Sequence, residues 1–428
     1  MALRRAALEA LGLAAARLPA EAAAQRQATL MVLEQHLRAD ALDLLVSGEE
    51  GWAEHDRRLP LLQGASRGLQ LAASTDLPLL GSGPGRKVPM LTLTALTEGE
   101  ALAEGGPLRI RTEVVAPRVW RLPLPAGEQL EIVAIPGGEH SIGSPPEEEG
   151  RDWYARQRER CVDPESGHPL NVEAQRSVRL ADYGMVRHLI TQAQWQAVAA
   201  LQPVEGELNT TPWSFRPEAD ALWERHGQPL SLPVDSVSWN DCQEWLRRLN
   251  RWLRQEWAGL AGGGEAPQLA LPGEGQWEVA CRAGVSTPFH FGDVLDASWA
   301  NFDGGYTYGR GRKGPYRQRP LPIGALGLVN RWGLAEMHGQ LLEWCGDQWH
   351  RDPLGEGWSA DGQPWEGPDE GLEGSAQQAL RLLRGGSWIY GPHNCRAAIR
   401  SSNIPANVSP YNGVRPCCLL PPGSLLGP

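Results

Sequence analysis

The stretch LRGGSWIYGPHNCRAAIRSSNIPANVSPYNGVRPCCLLPPGS (383–424) decides how the rest of the chain is read. It enters through Gly385-Gly386-Ser387-Trp388 and closes on the adjacent pair Cys417-Cys418. Between them lie Ser, Asn, Gly and Pro, two tyrosines and scattered Ile and Val. That is loop chemistry carrying unusually large side chains.

Around this stretch stands a chain of 428 residues, long enough for two domains. Hydrophobic residues make up 41% and charged residues 21%, which suits a globular protein with a substantial core. Gly 50 and Pro 35 call for many turns, and Trp 18 against Phe 4 suggests long loops pinned by indoles. The net charge of −11 argues against nucleic acid as a partner. One basic run, RGRKGPYRQR (310–319), reads as a solvated loop, with a patch for an anionic partner as the minority reading.

Seven cysteines (161, 242, 281, 345, 395, 417 and 418) are sparse, odd in number and without CxxC spacing, so a reducing compartment fits best. Cys417-Cys418 reads as buried free thiols near a core strand rather than a strained bridge. Glu9 and Arg17 interrupt the apolar amino terminus, which reads as an amphipathic helix and not a signal peptide. No stretch approaches a membrane span, and a cytoplasmic location is expected.

In residues 1–60 two helical patterns are expected, Leu3, Ala7, Leu11, Ala14 and then Leu30, Leu33, Leu37, Ala41, Leu44, Leu45, separated by Pro19. LGSGPGR (80–86) looks like a linker. Strand patterns follow at 90–96, 108–116 and 119–124. Beyond Gly127 the chain reads as irregular α+β. It holds a helix at 191–201 with Thr191 as N-cap and Gln194 completing a capping box, one from Asn240 or Asp241, and one at 274–283.

Several segments, in order, resemble the formylglycine-generating-enzyme family: EIVAIPGGEHSIGSPPEEEGRD (131–152), VRHLITQAQWQAV (186–198), LPVDSVSWNDCQEWLRRLN (232–250), LALPGEGQWEVACRAG (269–284), WGLAEMHGQLLEWCGDQW (332–349), RLLRGGSW (381–388) and NGVRPCC (412–418). The resemblance implies a loop-rich C-type-lectin-like α+β fold over 119–428, preceded by a smaller helical and strand region, 1–118, of unknown role. It casts Trp195, Trp239, Trp245, Trp277, Trp344 and Trp388 as packing pins, each indole N–H bonded to a nearby carbonyl.

Enzymes of that family hold copper on two cysteines after the RGGS strand. Aligning Gly385-Gly386-Ser387 places Tyr390 and Cys395 there, and a phenol is a poor substitute for a thiolate on a soft ion. A histidine-bound iron site of the related kind finds no matching spacing among the ten histidines. Calcium, bound by some members, would draw on the neighbourhoods of Asn301 and Glu343, where Gln340 replaces the usual Asn. No cofactor and no catalytic residue is therefore expected, with calcium left open.

The closing segment also resembles the variable region, here about 384–418, of proteins diversified by a retroelement. In that family adenines of AAY codons are randomised between members of a fixed frame. The frame here reads Arg384, Gly385, Gly386, Ser387, Trp388, Pro392, Cys395, Arg396, Ala397, Ala398, Arg400, Pro405, Ala406, Gly413 and Arg415. Between them lie Ile389, Tyr390, Gly391, His393, Asn394, Ile399, Ser401, Ser402, Asn403, Ile404, Asn407, Val408, Ser409, Pro410, Tyr411 and Asn412, all reachable from AAY. None is Lys, Glu, Gln, Met or Trp. The resemblance implies a binding protein whose exposed loops take a macromolecular, protein-like ligand. Residues 1–118 would serve effector or oligomer contacts. A copper oxidase, or an inactive fixed interaction module of the same fold, are the alternatives.

Overall fold

The structure, a computed structural model, describes residues 2–18, 22–46, 49–97, 107–151, 172–216, 231–261, 264–355, 358, 360–367 and 380–419. Cys161 lies outside the described residues; the other six cysteines are free and buried.

The amino-terminal region opens with α1 (Ala2–Ala16) and α2 (Ala23–Ala39), then strand β1 (Asp43–Val46) and a third helix, α3 (Glu49–Ala73). Two helices were expected here, and the third corrects that reading. Its signal is masked by Pro60 inside the helix, yet Leu59, Leu62, Ala65, Leu69 and Ala72 recur on one buried face. Leu44 and Leu45, read as a continuation of α2, sit instead in β1, which pairs with β4. Helices α1 and α3 approach backbone to backbone: a Cβ on Gly12 would lie 2.0 Å from the Gly68 carbonyl oxygen.

Five strands follow: β2 (Arg86–Lys87), β3 (Met90–Thr97), β4 (Leu108–Val115), β5 (Arg118–Pro123) and β6 (Gln129–Ile135). Strands β1, β4 and β3 make one antiparallel sheet. The expected linker at 80–86 is an exposed turn over 81–84 that is tied down by backbone and indole hydrogen bonds. Leu80 is buried, its amide donates to the Arg121 carbonyl, and Trp120 Nε1 donates to the Gly83 carbonyl. The turn leads directly into β2, which pairs with β5.

The rest comprises β7 (Gly138–Ile142), β8 (Arg176–Leu180), β9 (Tyr183–Val186), α4 (Gln192–Ala199), α5 (Trp239–Ala261), β10 (Gln268–Ala270), α6 (Glu274–Arg282), β11 (Leu342–Gln348), β12 (Arg381–Arg384), β13 (Ser401–Asn403), β14 (Asn412–Gly413) and β15 (Cys417–Leu419). Helix α4 starts with the capping box anticipated at Thr191 and Gln194. A six-stranded sheet runs β10-β15-β9-β6-β5-β2, and a four-stranded one runs β13-β12-β11-β14. This is the α+β arrangement expected from sequence. On β15, Cys417 and Cys418 fall into different core clusters, as alternation along a strand requires.

All six indoles named as pins are hydrogen-bonded. Trp195, Trp239, Trp245, Trp344 and Trp388 donate to the carbonyls of Asn209, Cys345, Trp195, Val237 and Pro410, and Trp277 donates to the Glu343 carboxylate. The amino-terminal helices share this core. His55 Nε2 accepts from Trp299 Nε1, Gln63 donates to the Ser298 carbonyl, and Leu59 and Leu62 join Phe289, Phe291 and Trp299. Arg312, from the basic run, bonds Asp56 and Asp296 while its guanidinium lies 4.1 Å from the Trp52 ring centre.

Candidate binding face

The four-stranded sheet launches the loops of interest. Strand β12 ends at Arg384, and Gly385 and Gly386 turn the chain with φ of 91° and 73°. A Cβ on Gly386 would lie 2.5 Å from the Asn394 carbonyl oxygen and 2.7 Å from Cys395 Sγ, so glycine lets the loop close on the turn Pro392–Cys395. Trp388 Nε1 donates to the Pro410 carbonyl at 3.2 Å, tying this loop to the one leading into β14.

Four buried arginines fasten the segment from beneath. Arg396 grips both Glu173 oxygens at 2.8 and 2.9 Å and reaches Glu148 at 2.6 Å. Arg400 holds Glu274 at 2.6 and 3.1 Å, and Arg415 holds Glu343 at 2.8 and 3.0 Å. Arg384 pairs with Glu278 and also donates to the Ala397 and Ala398 carbonyls. Desolvation raises the Glu274 pKa, yet the three neighbouring arginines outweigh it and hold the carboxyl down at about 2.

Above this layer the side chains emerge. Ile389, Ile404 and Val408 are 37%, 48% and 57% exposed. Tyr390, Gly391, His393, Asn394, Ser401, Asn403, Asn407, Pro410 and Tyr411 are half-buried. Tyr390 and Tyr411 meet edge to face at 5.8 Å, with their inner sides on the core. His393 Nε2 lies 3.1 Å from Glu149 Oε1, and its ring is 5.1 Å from that of Tyr308.

Four positions expected to face solvent do not. Ile399, Ser402, Ser409 and Asn412 are buried at 2%, 5%, 4% and 0% exposure. The reasons are local. Ile399 lies where Arg384 collects carbonyls, Ser402 pairs with Leu382 inside the sheet, the Ser409 carbonyl accepts from Ser236, and Asn412 pairs with Leu342 in β14. Conversely, of the frame only Pro405 and Ala406 escape full burial.

Sequence reading missed one contributor. Tyr306, 61% exposed, lies against Gly391, and the Asp303 amide donates to the Tyr390 carbonyl at 2.9 Å. A search confined to 383–424 could not reach it. The only local hint is Gly304-Gly305 before an aromatic residue.

The residues do not fit a two-thiolate copper site. Cys395 is fully buried, burial pushes its thiol pKa far up, and its sulfur rests 3.7 Å from the Gly391 carbonyl oxygen. Tyr390, at the second position, packs on Tyr411. Among the described residues no group of three or more His, Cys, Asp or Glu is placed to hold a metal ion. The calcium neighbourhoods are committed only in part, since the buried Asn301 Oδ1 has no hydrogen-bond partner. Glu343 serves Arg415 and Trp277, while the Asn301 amide donates to the Arg319 carbonyl and to Gln340.

No helix among the described residues is long and apolar enough to cross a membrane. Comparison with known proteins places the chain among both active and inactive relatives. It is 26% identical to the formylglycine-generating enzyme of Thermomonospora curvata, covering 66% of this chain and 92% of that one. It is 24% identical to the inactive C-alpha-formylglycine-generating enzyme 2 of Bos taurus, covering 71% and 94%. A shorter match, 31% identical, covers 37% of this chain and 22% of the serine/threonine-protein kinase pkn1 of Chlamydia caviae, so the chain spans only about a fifth of that relative. Among solved structures, PvdO from Pseudomonas aeruginosa aligns over 68% of this chain and 95% of its own at 22% identity and TM-score 0.46. Treponema denticola variable protein 1 aligns over 70% and 98% at 16% identity and TM-score 0.46. The model of the sulfatase-modifying factor enzyme 1-like domain matches residues 123–418, more than half of the chain, and the chain belongs to that family.

Proposed function

We propose that this chain is a binding protein that takes a macromolecular, protein target on the face from Ile389 to Tyr411, and that a retroelement diversifies that face. The carrying observation is the division of one segment into two layers. All of its frame but Pro405 and Ala406 is buried and its four arginines are ion-paired, while twelve of the sixteen positions between frame members reach the surface. The exposed apolar trio Ile389, Ile404 and Val408, beside Tyr306, Tyr390 and Tyr411, offers large contact area, and Ser401, Asn403 and Asn407 offer adaptable hydrogen bonds. The acidic balance disfavours a nucleic-acid target, and six free buried thiols suit a reducing, cytoplasmic location. Residues 1–118 carry the solvent-facing Met31, Val32 and Leu45, which suits contacts to an effector or a second copy.

Sequencing the DNA around the gene tests the diversification. The reading requires a near-copy of the 383–424 coding segment that differs at adenines, beside a reverse transcriptase; absence of the copy leaves a fixed module. Randomising the twelve surface positions tests the binding face. Most library members should unfold as cooperatively as the parent, and selection against an immobilised protein should enrich binders. A library that is largely unfolded would refute the two-layer reading.

A further inference from the structure

A second site lies where α1 and α3 meet the segment joining β9 to α4. A cleft of about 660 Å³ opens there, within the ~300–1,000 Å³ usual for small-molecule sites. It shares no lining residue with the binding face.

Its wall holds donors without acceptors. Arg67 on α3 is 8% exposed and its Nη1 has no hydrogen-bond partner. Arg187 is 2% exposed; it spends Nη1 on Glu131 and Nη2 on Gln70, and its Nε is unpartnered. The buried Ser231 hydroxyl is unpartnered too. The positive end of α4 lines the same space through Thr191, Ala193 and Gln194. An unpaired guanidinium out of water is costly, and a carboxylate is the group its fork of donors matches best.

A plain anion would nevertheless meet Glu9, Glu128 and Glu131 in the same cleft. Glu9 is paired with Arg5 and Glu131 with Arg187. Glu128 forms no side-chain hydrogen bond or ion pair among the described residues, and burial raises its pKa. One lining acid and one lining base thus lack partners. We propose that the cleft binds a small zwitterion of the amino-acid or short-peptide class, its carboxylate on Arg67 and its ammonium on Glu128.

Thermal unfolding of the full chain tests this with glycine, diglycine and triglycine, whose charges are progressively further apart, against acetate and methylammonium. At least one zwitterion should raise the melting temperature while neither single-charge probe does at equal concentration. Arg67→Gln should weaken that ligand about tenfold or more. The same variant should keep the unliganded melting temperature, because it removes a buried cation that makes no hydrogen bond or ion pair among the described residues. Glu128→Gln should erase the preference over acetate. The proposal is overturned if no zwitterion shifts the transition, if acetate does as well, or if Arg67→Gln destabilises the unliganded chain.

Discussion

Arg415 and Ile404 sit eleven positions apart on one segment and live in different physical worlds. The guanidinium of Arg415 is fully buried, bonded to both Glu343 oxygens and to the carbonyls of Arg187 and Ala335. The side chain of Ile404 is 48% exposed and stands on a turn closed by the Asn407 amide donating to its carbonyl. The same contrast recurs along the segment between Arg384, Arg396 and Arg400 and their neighbours Ile389, Asn394 and Asn403. Loop geometry is therefore held by buried ion pairs that lie beneath the surface side chains. Such a loop can change its outer face without changing its path.

The largest expected effect comes from breaking the frame. Arg415→Ala strands the Glu343 carboxylate in the interior and should cost about 3–5 kcal/mol in chemical denaturation. A loss below about 1 kcal/mol would mean that the frame does not hold the loops. Arg415→Met, which also removes the charge, should be no milder unless Glu343 is replaced by an apolar residue in the same chain.

Next in size is a pH effect composed of opposing parts. His338 Nε2 accepts from the His290 amide, so its Nδ1 donates to the Cys395 carbonyl at 2.7 Å. Burial lowers its pKa from 6.5 to about 4. Between pH 6.5 and 4 the unfolded chain gains a proton there that the native state refuses, so stability falls as pH falls, by roughly 3 kcal/mol in all. Asp347 acts the other way. Burial, reinforced by Glu274, raises its pKa from 3.8 to about 7, so its protonation favours the native state as pH falls from 7 to 4. Relative to the parent, His338→Gln should therefore gain stability on going from pH 7 to 4.5, and Asp347→Asn should lose it. Urea titrations at the two pH values give both slopes, and parallel slopes for all three chains would refute the assignment.

Much of this architecture was legible in the residues. The capping box at Thr191 and Gln194, the six bonded indoles and the strands of 90–124 follow from local chemistry that a sequence displays directly. The third amino-terminal helix did not, because Pro60 breaks the pattern while the glycines that let α1 and α3 touch look like helix breakers. Burial at Ile399, Ser402, Ser409 and Asn412 was hidden for another reason. A codon alphabet reports what a position is able to encode, whereas burial depends on partners such as Leu382 and Leu342, far away in sequence. Tyr306 was missed because its place beside Gly391 arises only from the fold.

Ile399 sharpens the contrast further. It shares the residue type and the codon class of Ile404, yet it is 2% exposed. Ile399→Val should cost about 1 kcal/mol, and Ile404→Val should cost nothing measurable. Equal effects would dissolve the distinction between the layers at these two sites.

Among the multiple substitutions, the one with a small expected effect is the most telling for function. Ile389, Ile404 and Val408 expose branched apolar side chains to water, and Ile389→Ser, Ile404→Ser and Val408→Ser together remove three such groups at once. Their carbonyl and amide contacts, including the turn at Asn407, belong to the backbone and survive the change. The triple variant should unfold within about 0.5 kcal/mol of the parent, as surface substitutions usually do. A core role for any of the three would show as a loss of about 1–3 kcal/mol, because burial of such a side chain is worth that much. If stability holds while binders selected on this face lose their target, the trio acts outward, in contact, and the frame alone carries the fold of the segment.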